Sequence, residues 1–155
     1  MDVHSKALRS KNMRAITARN TKIEFQVGEL LTDCGAVYRM HDSLLPGKPD
    51  FVIESSRCVI FTHGCFWHHH HCYLFKLPAT RTDFWQQKIA ANVVRDKRNI
   101  EALLSLNWRV LVVWECALRG KGRLSDKGLT ERLEEWICSG VDHAEIDMRG
   151  IHQAV

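Results

Sequence analysis

The sequence has none of the features that would direct it into a membrane or a secretory route. Its apolar runs all fall short of the roughly 20 residues that a membrane-spanning helix requires, and its first residues lack the apolar stretch of a signal peptide. Internal repeats, low-complexity segments and linkers between domains are also absent. A chain of 155 residues has the usual length of one domain, so we expect a single globular domain in the cytoplasm.

The net charge of +4 is too small to indicate a partner by itself, but its distribution is uneven. Within the first 22 residues a single acid, Asp2, stands against a set of basic residues. These are Lys6, Arg9, Lys11, Arg14, Arg19 and Lys22. A basic arm of this kind can reach phosphates, although a merely solvated tail explains it equally well. We assign residues 1–20 to this arm and residues 21–155 to the folded domain.

The apolar pattern predicts one α/β domain in the order helix, three strands, helix, strand, helix. The first helix runs from about Lys22 to Asp33, after a capping box made by Thr21 and Glu24, and Gly35 ends it. The predicted strands are Val37–Met40, Asp50–Ile53, Cys58–Thr62 and Trp108–Trp114.

Each predicted helix has an apolar face that should enter the core. In the first helix this face consists of Ile23, Val27, Leu30 and Leu31. A long helix from about Asp83 to Leu106 contributes Trp85, Ile89, Val93, Ile100 and Leu104. The last helix contributes Leu129, Leu133, Trp136 and Ile137.

The six cysteines of such a chain should be reduced thiols. We interpret Cys34, Cys58 and Cys138 as buried small hydrophobic residues. Two others follow the strands of a predicted β-α-β unit, whose strands pair in parallel. If those strands are neighbours, Cys65 and Cys116 emerge at the same edge of the sheet.

The segment CFWHHHHC, from Cys65 to Cys72, indicates a metal site. Structural zinc takes four Cys or His ligands in a tetrahedron. Cys65, Cys72 and Cys116 supply three ligands, and one of the four histidines completes the set. His70 leaves room for a loop around the ion, although spacing alone does not select it. A purification tag or a metal store fits less well, because the run is internal and is not repeated.

A second metal centre is indicated at Asp50, which opens a strand after a proline-rich loop. A tight hairpin can bring Asp50 close to Thr62 and His63, at the end of the next strand. A carboxylate there can hold Mg²⁺, which supports phosphodiester hydrolysis. His63 or His68 can act as general acid or base.

The Pro-Asp pair is also part of the motif of restriction-enzyme-like nucleases, in which Glu/Asp-x-Lys follows after a spacer. The element order predicted here is the order of their core. However, Phe61-Thr62-His63 stands where Glu-x-Lys should be. Taken alone, Pro49-Asp50 is a weak match, and an exposed acid at a strand start is the simpler explanation.

Several stretches of the chain resemble the very short patch repair (Vsr) endonucleases. They are SKNMRAI, LPGKPDFVI, CVIFTHGCFWHHHHCYLF, ATRTDFWQQKI, NVVRDKRNI, RVLVVWECALRG and LTERLEEWIC. The resemblance covers almost the whole chain, and the CFWHHHHC block is highly specific. The family itself carries Phe-Thr-His in place of Glu-x-Lys, which accounts for that departure.

The resemblance implies a DNA repair endonuclease. Such enzymes bind double-stranded DNA at a T:G mismatch left by deamination of 5-methylcytosine and nick the strand 5′ of the mispaired thymine. It implies catalytic Mg²⁺ bound by Asp50 and by the main-chain carbonyl of Thr62, with His68 as general base and His63 assisting. It implies structural Zn²⁺ on four ligands. These ligands are Cys65, His70, Cys72 and Cys116.

Two further acids enter the implied active site. Asp96, on the long helix, could orient a histidine. Glu24 could hold metal-bound water, or it could be only the acid of the capping box.

The resemblance also implies how the mismatch is recognised. Phe66 and Trp67, with His68, would enter from the major groove. Apolar wedges unstack base steps, and a base step beside a T:G wobble pair is easier to open. The arm, with Met13, would enter from the minor-groove side, and two basic residues would contact phosphates. These are Lys11 and Arg14. Without the resemblance, Phe66 and Trp67 are more simply explained as packing under the zinc loop.

Two rival functions share much of this evidence. One is a zinc-stabilised DNA-binding module without catalysis, and the other is a restriction endonuclease that cuts both strands. A nicking enzyme needs only a monomer and no membrane. Other mismatch-repair proteins are candidate partners, and the enzyme would be associated with the nucleoid when acting.

Overall fold

The computed structural model describes residues 21–154. The predicted DNA contacts of Lys11, Met13 and Arg14 lie outside the described residues, as does the rest of the arm. The start of the first helix falls at the same border, so the capping box of Thr21 and Glu24 stays a prediction. Among the described residues, no helix has the length and apolarity that crossing a membrane requires.

The predicted order of elements is found, with a short helix added before the last predicted helix and two strands added at the end. Helix α1 covers residues 21–33. The elements that follow are β1 (Arg39–Met40), β2 (Phe51–Ile53), β3 (Cys58–His63), α2 (Thr82–Ser105), β4 (Arg109–Trp114), α3 (Glu115–Leu118), α4 (Asp126–Ser139), β5 (His143–Asp147) and β6 (Gly150–Gln153).

Local sequence explains where these elements begin and end. Helix α1 ends before Gly35, whose φ of 80° favours glycine, and the N–H of Ala36 donates to the Leu31 carbonyl at 3.0 Å. Helix α4 begins after Ser125, whose hydroxyl accepts from the Gly128 N–H at 3.0 Å. The turn between β2 and β3 is a 3₁₀ helix, Glu54–Ser56.

The six strands form one mixed sheet in chain order. Strands β3, β4 and β5 are parallel, and the remaining neighbours are antiparallel. The register sets His63, the last residue of β3, opposite Trp114, the last residue of β4. Cys65 and Cys116 therefore each follow their strand by two residues, and the predicted meeting of the two thiols at one edge is confirmed.

Helices cover both faces of the sheet, because side chains alternate along the buried strands. Ile60 of β3 packs with the apolar residues of α1 and α4. Val59 and Phe61 lie in a second cluster on the opposite face, together with Leu103 of α2. The result is a single α/β domain in which β3 and β4 are central and buried.

Three sequence predictions about packing are wrong or incomplete. Val93 of α2 is 38% exposed, and the buried residues of that helix are Ile89 and Leu103. Cys58 is buried as predicted, but Cys138 is exposed and Cys34 is only half-buried. Strands β5 and β6 were not predicted at all.

Candidate active site and metal centre

A cleft of about 310 Å³ opens between the end of β3, the start of β2 and helix α2. It is lined by Gly47, Lys48, Asp50, Phe61, Thr62, His63, His68, Arg95, Asp96, Asn99 and Ile100. The hairpin β2–β3 supplies Asp50 and Thr62. The segment after β3 supplies His68, and helix α2 supplies Asp96. The structure therefore brings together five of the six residues predicted to be catalytic.

Thr62 holds Asp50 in place from the neighbouring strand. The Thr62 N–H donates to Asp50 Oδ2 at 2.7 Å, and its hydroxyl donates to the same oxygen at 3.2 Å. Burial raises the pKa of Asp50 to about 7, and a hydrogen bond with the Glu24 carboxyl adds to this effect. Glu24, the sixth predicted residue, thus lies beside Asp50 although it belongs to helix α1.

His63 and His68 are stacked in parallel at the floor of the cleft. Their ring centroids lie 3.8 Å apart at an interplanar angle of 6°. His68 Nδ1 donates to Asp96 Oδ2 at 2.5 Å, which fixes the ring orientation. Burial lowers the pKa of His63 well below its usual value, and the neighbouring His68 lowers it further. The neutral form of His63 is therefore favoured, and its Nδ1 has no hydrogen-bond partner within residues 21–154.

Cys65, His70, Cys72 and Cys116 place one ligand atom each within 4.8 Å of one another. His70 Nδ1 lies 3.6 Å from Cys65 Sγ and 3.5 Å from Cys116 Sγ. Two ligands about 2.3 and 2.1 Å from a tetrahedral ion are themselves about 3.6 Å apart. A hydrogen bond from Cys65 lowers the pKa of Cys116 to about 5, and His70 adds to this effect against burial. The cluster fits a tetrahedral metal ion.

A buried carboxylate supports this cluster from strand β5. His70 Nε2 lies 3.3 Å from Asp147 Oδ2, and Asp147 is fully buried. Burial alone would raise the pKa of Asp147, but hydrogen bonds from His152 and Arg149 outweigh it and lower the pKa to about 2. An ionised carboxylate on the second nitrogen fixes the tautomer of a metal-binding histidine. Nδ1 of His70 is thereby left to face the thiols.

A second acid holds the main chain of the cluster. Glu115 begins helix α3, directly after β4, and its Oε1 accepts the Cys65 N–H at 3.1 Å. Arg119, one helical turn later, donates to Glu115 Oε2 at 2.7 Å. The loop after β3 is thus tied to the end of β4, beside Cys116.

An aromatic cluster forms directly before His68 in the chain, against the start of helix α2. Phe66 and Trp67 contact each other at 5.2 Å between ring centroids, and both contact Trp85, at 5.7 and 5.8 Å. Neither ring is fully buried. Asn92 donates to the Trp67 carbonyl at 3.1 Å. The two rings therefore form a half-exposed surface next to His68.

Sequence comparison decides the family. A family model described as DNA mismatch endonuclease Vsr matches residues 1–74. The DNA mismatch endonuclease Vsr of Escherichia coli (strain K12) is 64% identical over 151 residues, which cover 97% of this chain and 97% of that protein. This chain belongs to the Vsr family.

Other Vsr relatives bear names of nicking enzymes. The type II nicking enzyme V.XorIIP of Xanthomonas oryzae is 46% identical over 112 residues, covering 72% of this chain and 82% of that protein. The type II nicking enzyme V.NmeAIP of Neisseria meningitidis is 40% identical over 120 residues, covering 77% and 86%. The family recognition made from the sequence is confirmed.

In this Vsr-family chain, three residues of the site were missed from sequence. Asp147 lies on a strand that was not predicted, and Glu115 lies directly after the predicted strand Trp108–Trp114 and was given no role. His41 contacts Glu24 at 2.6 Å but belongs to no motif recognised in the sequence. One signal was available for Asp147, because it ends an alternating segment and is followed, after two residues, by Gly150, a pattern that indicates a hairpin.

Proposed function

We propose that this protein is a metal-dependent DNA endonuclease that nicks one strand 5′ of the thymine in a T:G mismatch. The observation that carries the proposal is the cleft in which Asp50 and the Asp96–His68 pair face each other, in a chain of the Vsr family. Its DNA would be double-stranded and would carry the product of 5-methylcytosine deamination. A monomer in the cytoplasm, near the nucleoid, suffices for that reaction.

Asp50 and the main-chain carbonyl of Thr62 would hold the catalytic cation, for which Mg²⁺ is the expected ion. The donor set supports this role, because a carboxylate is a hard oxygen ligand that suits Mg²⁺. When bound, the ion would offset the negative charge that develops on the phosphate during hydrolysis. Lys48 and Arg95 also line the cleft and can attract the phosphate.

His68 would act as the general base. Asp96 binds one ring nitrogen, so the other nitrogen remains available to take a proton from water. This arrangement also stabilises the imidazolium that forms. His63 would assist by stacking, since a neutral ring adds no charge that would oppose protonation of His68. Glu24 would help to order water near the cation.

The cluster of three cysteines and His70 would hold a structural Zn²⁺. All four positions of a tetrahedron are then filled by protein, which leaves no position for substrate. The site would brace the loop that carries His68. With this metal site, the helix–three strands–helix–strand part of the domain would correspond to a restriction-endonuclease-like core.

Replacing Asp147 with asparagine should weaken the binding of Zn²⁺ by about 10–100-fold, because partners of ligating histidines contribute that much to metal affinity. A competition titration with a chromogenic chelator measures the change. Asp142→Asn, an exposed change just before β5, is the matched control. Equal zinc affinity in the two variants would show that Asp147 does not support the metal site.

The aromatic surface of Phe66 and Trp67, together with His68, would unstack the mismatched step from the major groove. The arm, through Met13, would act from the opposite groove, with Lys11 and Arg14 on phosphates. The support is that the two rings are only partly buried and directly precede His68, which lines the cleft. Other mismatch-repair proteins are further candidate partners.

Replacing Trp67 with alanine should reduce the preference for T:G over matched DNA by about tenfold, which corresponds to ~1.4 kcal/mol. An aromatic ring that is inserted into DNA contributes most where the base step opens most easily. Binding of both duplexes at one fixed salt concentration gives the ratio. Phe25→Ala removes an aromatic ring that is 67% exposed on α1 and should leave the ratio unchanged. An unchanged ratio in Trp67→Ala would contradict the wedge.

The test of the proposed function compares two duplexes of the same sequence, one with a T:G pair and one with C:G, with and without Mg²⁺. We expect a single nick, in the T:G duplex, only with Mg²⁺. Binding without any cleavage would instead indicate a DNA-binding module. Cleavage of both strands of the C:G duplex would indicate a restriction endonuclease.

A further inference from the structure

His41 lies beside two acids at the edge of the cleft. It follows strand β1, and its N–H donates to the Asp50 carbonyl at 3.2 Å. Its Nε2 lies 2.6 Å from Glu24 Oε1 and 3.9 Å from Asp50 Oδ1. The ligand atoms of these three residues all fall within 4.8 Å of one another. Helix α1, strand β1 and strand β2 thus converge on one point.

The two oxygens of Asp50 are used differently at this point. Oδ2 accepts both hydrogen bonds from Thr62, whereas Oδ1 is the oxygen from which the 3.9 Å distance to His41 is measured. The strand contact therefore holds the carboxylate while one oxygen faces Glu24 and His41. Because Thr62 holds Oδ2, Oδ1 is presented in a fixed position in which it can bind a cation.

We propose that His41 and Glu24 bind the catalytic cation together with Asp50, and that this mixed nitrogen and oxygen site binds Mn²⁺ more tightly than Mg²⁺. The inference rests on the proposed function, in which Asp50 holds a divalent cation. Ligands about 2.1 Å from an octahedral ion are about 3 Å apart when adjacent and about 4.2 Å apart when opposite. The three residues need only small side-chain shifts to reach those separations. An imidazole ligand favours transition metals, whereas Mg²⁺ favours oxygen.

A simple ion pair between His41 and Glu24 explains less of the geometry. Their side chains are 44% and 19% exposed, and ion pairs with such access to water contribute little to stability. The pair also does not explain why a second carboxylate is held against Glu24. A cation that binds both acids and the imidazole compensates this charge, and it would be reached from solvent on the exposed side of His41.

A second observation points to a ligand in the same cleft. His63 is only 6% exposed, and its Nδ1 has no hydrogen-bond partner among the described residues. Buried polar atoms are nearly always satisfied. A hydrated cation brings ordered water into the cleft that Asp50 and His63 line together, and such water could satisfy this nitrogen.

The test uses the zinc-loaded full chain, titrated with MnCl₂ and, separately, with MgCl₂. Pulsed electron paramagnetic resonance of the bound Mn²⁺ reports whether a nitrogen nucleus is directly coordinated. We expect a directly coordinated ¹⁴N signal in the native protein and its loss in His41→Gln. The same substitution should weaken Mn²⁺ binding at least about tenfold and change Mg²⁺ binding by less than about twofold, because the glutamine oxygen still suits Mg²⁺.

His143→Gln is the matched control, because this imidazole lies at the start of β5 and outside the cleft. It should keep both the ¹⁴N signal and the Mn²⁺ affinity. Retention of the signal in His41→Gln, or equal weakening of Mn²⁺ and Mg²⁺ binding, would overturn the inference. Nicking of T:G duplexes is scored separately. Mn²⁺ bound through His41 without nicking would overturn the proposed function alone.

Discussion

Replacing Asp50 with alanine is expected to reduce nicking by at least about 10³-fold while DNA binding changes little. The carboxylate contributes through the cation, whose effect on a phosphoryl transition state amounts to several kcal/mol. DNA affinity depends mainly on basic and aromatic contacts elsewhere. Single-turnover cleavage and equilibrium binding of the same T:G duplex measure the two effects. Undiminished cleavage would remove Asp50 from the metal site.

Asp50→Asn distinguishes loss of the cation ligand from damage to the fold. The amide oxygen can still accept from the Thr62 N–H. Because the folded-state pKa of Asp50 is raised to about 7, its contribution to stability is present below about pH 4 and is lost as the pH rises through 7. At pH 8 without Mg²⁺, the neutral asparagine should therefore unfold no more readily than the native protein. If the Asp50→Asn protein were destabilised, the loss of cleavage in Asp50→Ala would be explained by misfolding.

Replacing Cys116 with alanine is expected to give a protein that lacks zinc and does not fold. A structural zinc ion contributes about 10–16 kcal/mol in small zinc domains, which matches or exceeds the 5–15 kcal/mol stability of a typical domain. As a ligand, Cys116 would also join β4 to the loop after β3. Elemental analysis gives the zinc content, and far-ultraviolet circular dichroism gives the folded fraction.

Cys138→Ala is the control for this substitution, because that thiol is exposed on helix α4. It should retain one zinc ion per chain and the native spectrum. A Cys116→Ala protein with full zinc content would exclude Cys116 as a ligand. Full folding without zinc would instead show that the ion is not structural.

The core of the fold and most of the site could be predicted because they depend on local patterns and on chain connectivity. A β-α-β unit has one handedness and pairs its strands in parallel, so the meeting of Cys65 and Cys116 followed from connectivity alone. The same holds for Asp50 and Thr62, which a hairpin brings together. The choice of His70 from four histidines needed the family resemblance, since spacing permits several loops.

The residues that were missed depend on contacts between distant parts of the chain. Asp147 reaches His70 only because β5 pairs with β4, and a five-residue strand of mixed polarity is a weak signal. His41 meets Glu24 because α1 packs beside strands β1 and β2. A contact between such distant segments leaves no pattern of spacing in the sequence. Val93 was assigned to the core because helical periodicity identifies an apolar face but does not reveal how much of it another layer covers.

The histidine run between Cys65 and Cys72 contributes to two side-chain clusters at once. His68 turns to Asp96 in the cleft, and His70 turns to the thiols and Asp147. His69 and His71, by contrast, are exposed. Substitutions at these two exposed positions should therefore be tolerated, but a one-residue insertion or deletion within the run should not be. Either change would displace one of the two imidazoles, that of His68 or that of His70, from its partners while the other stayed in place. The length of this segment is therefore more constrained than its composition.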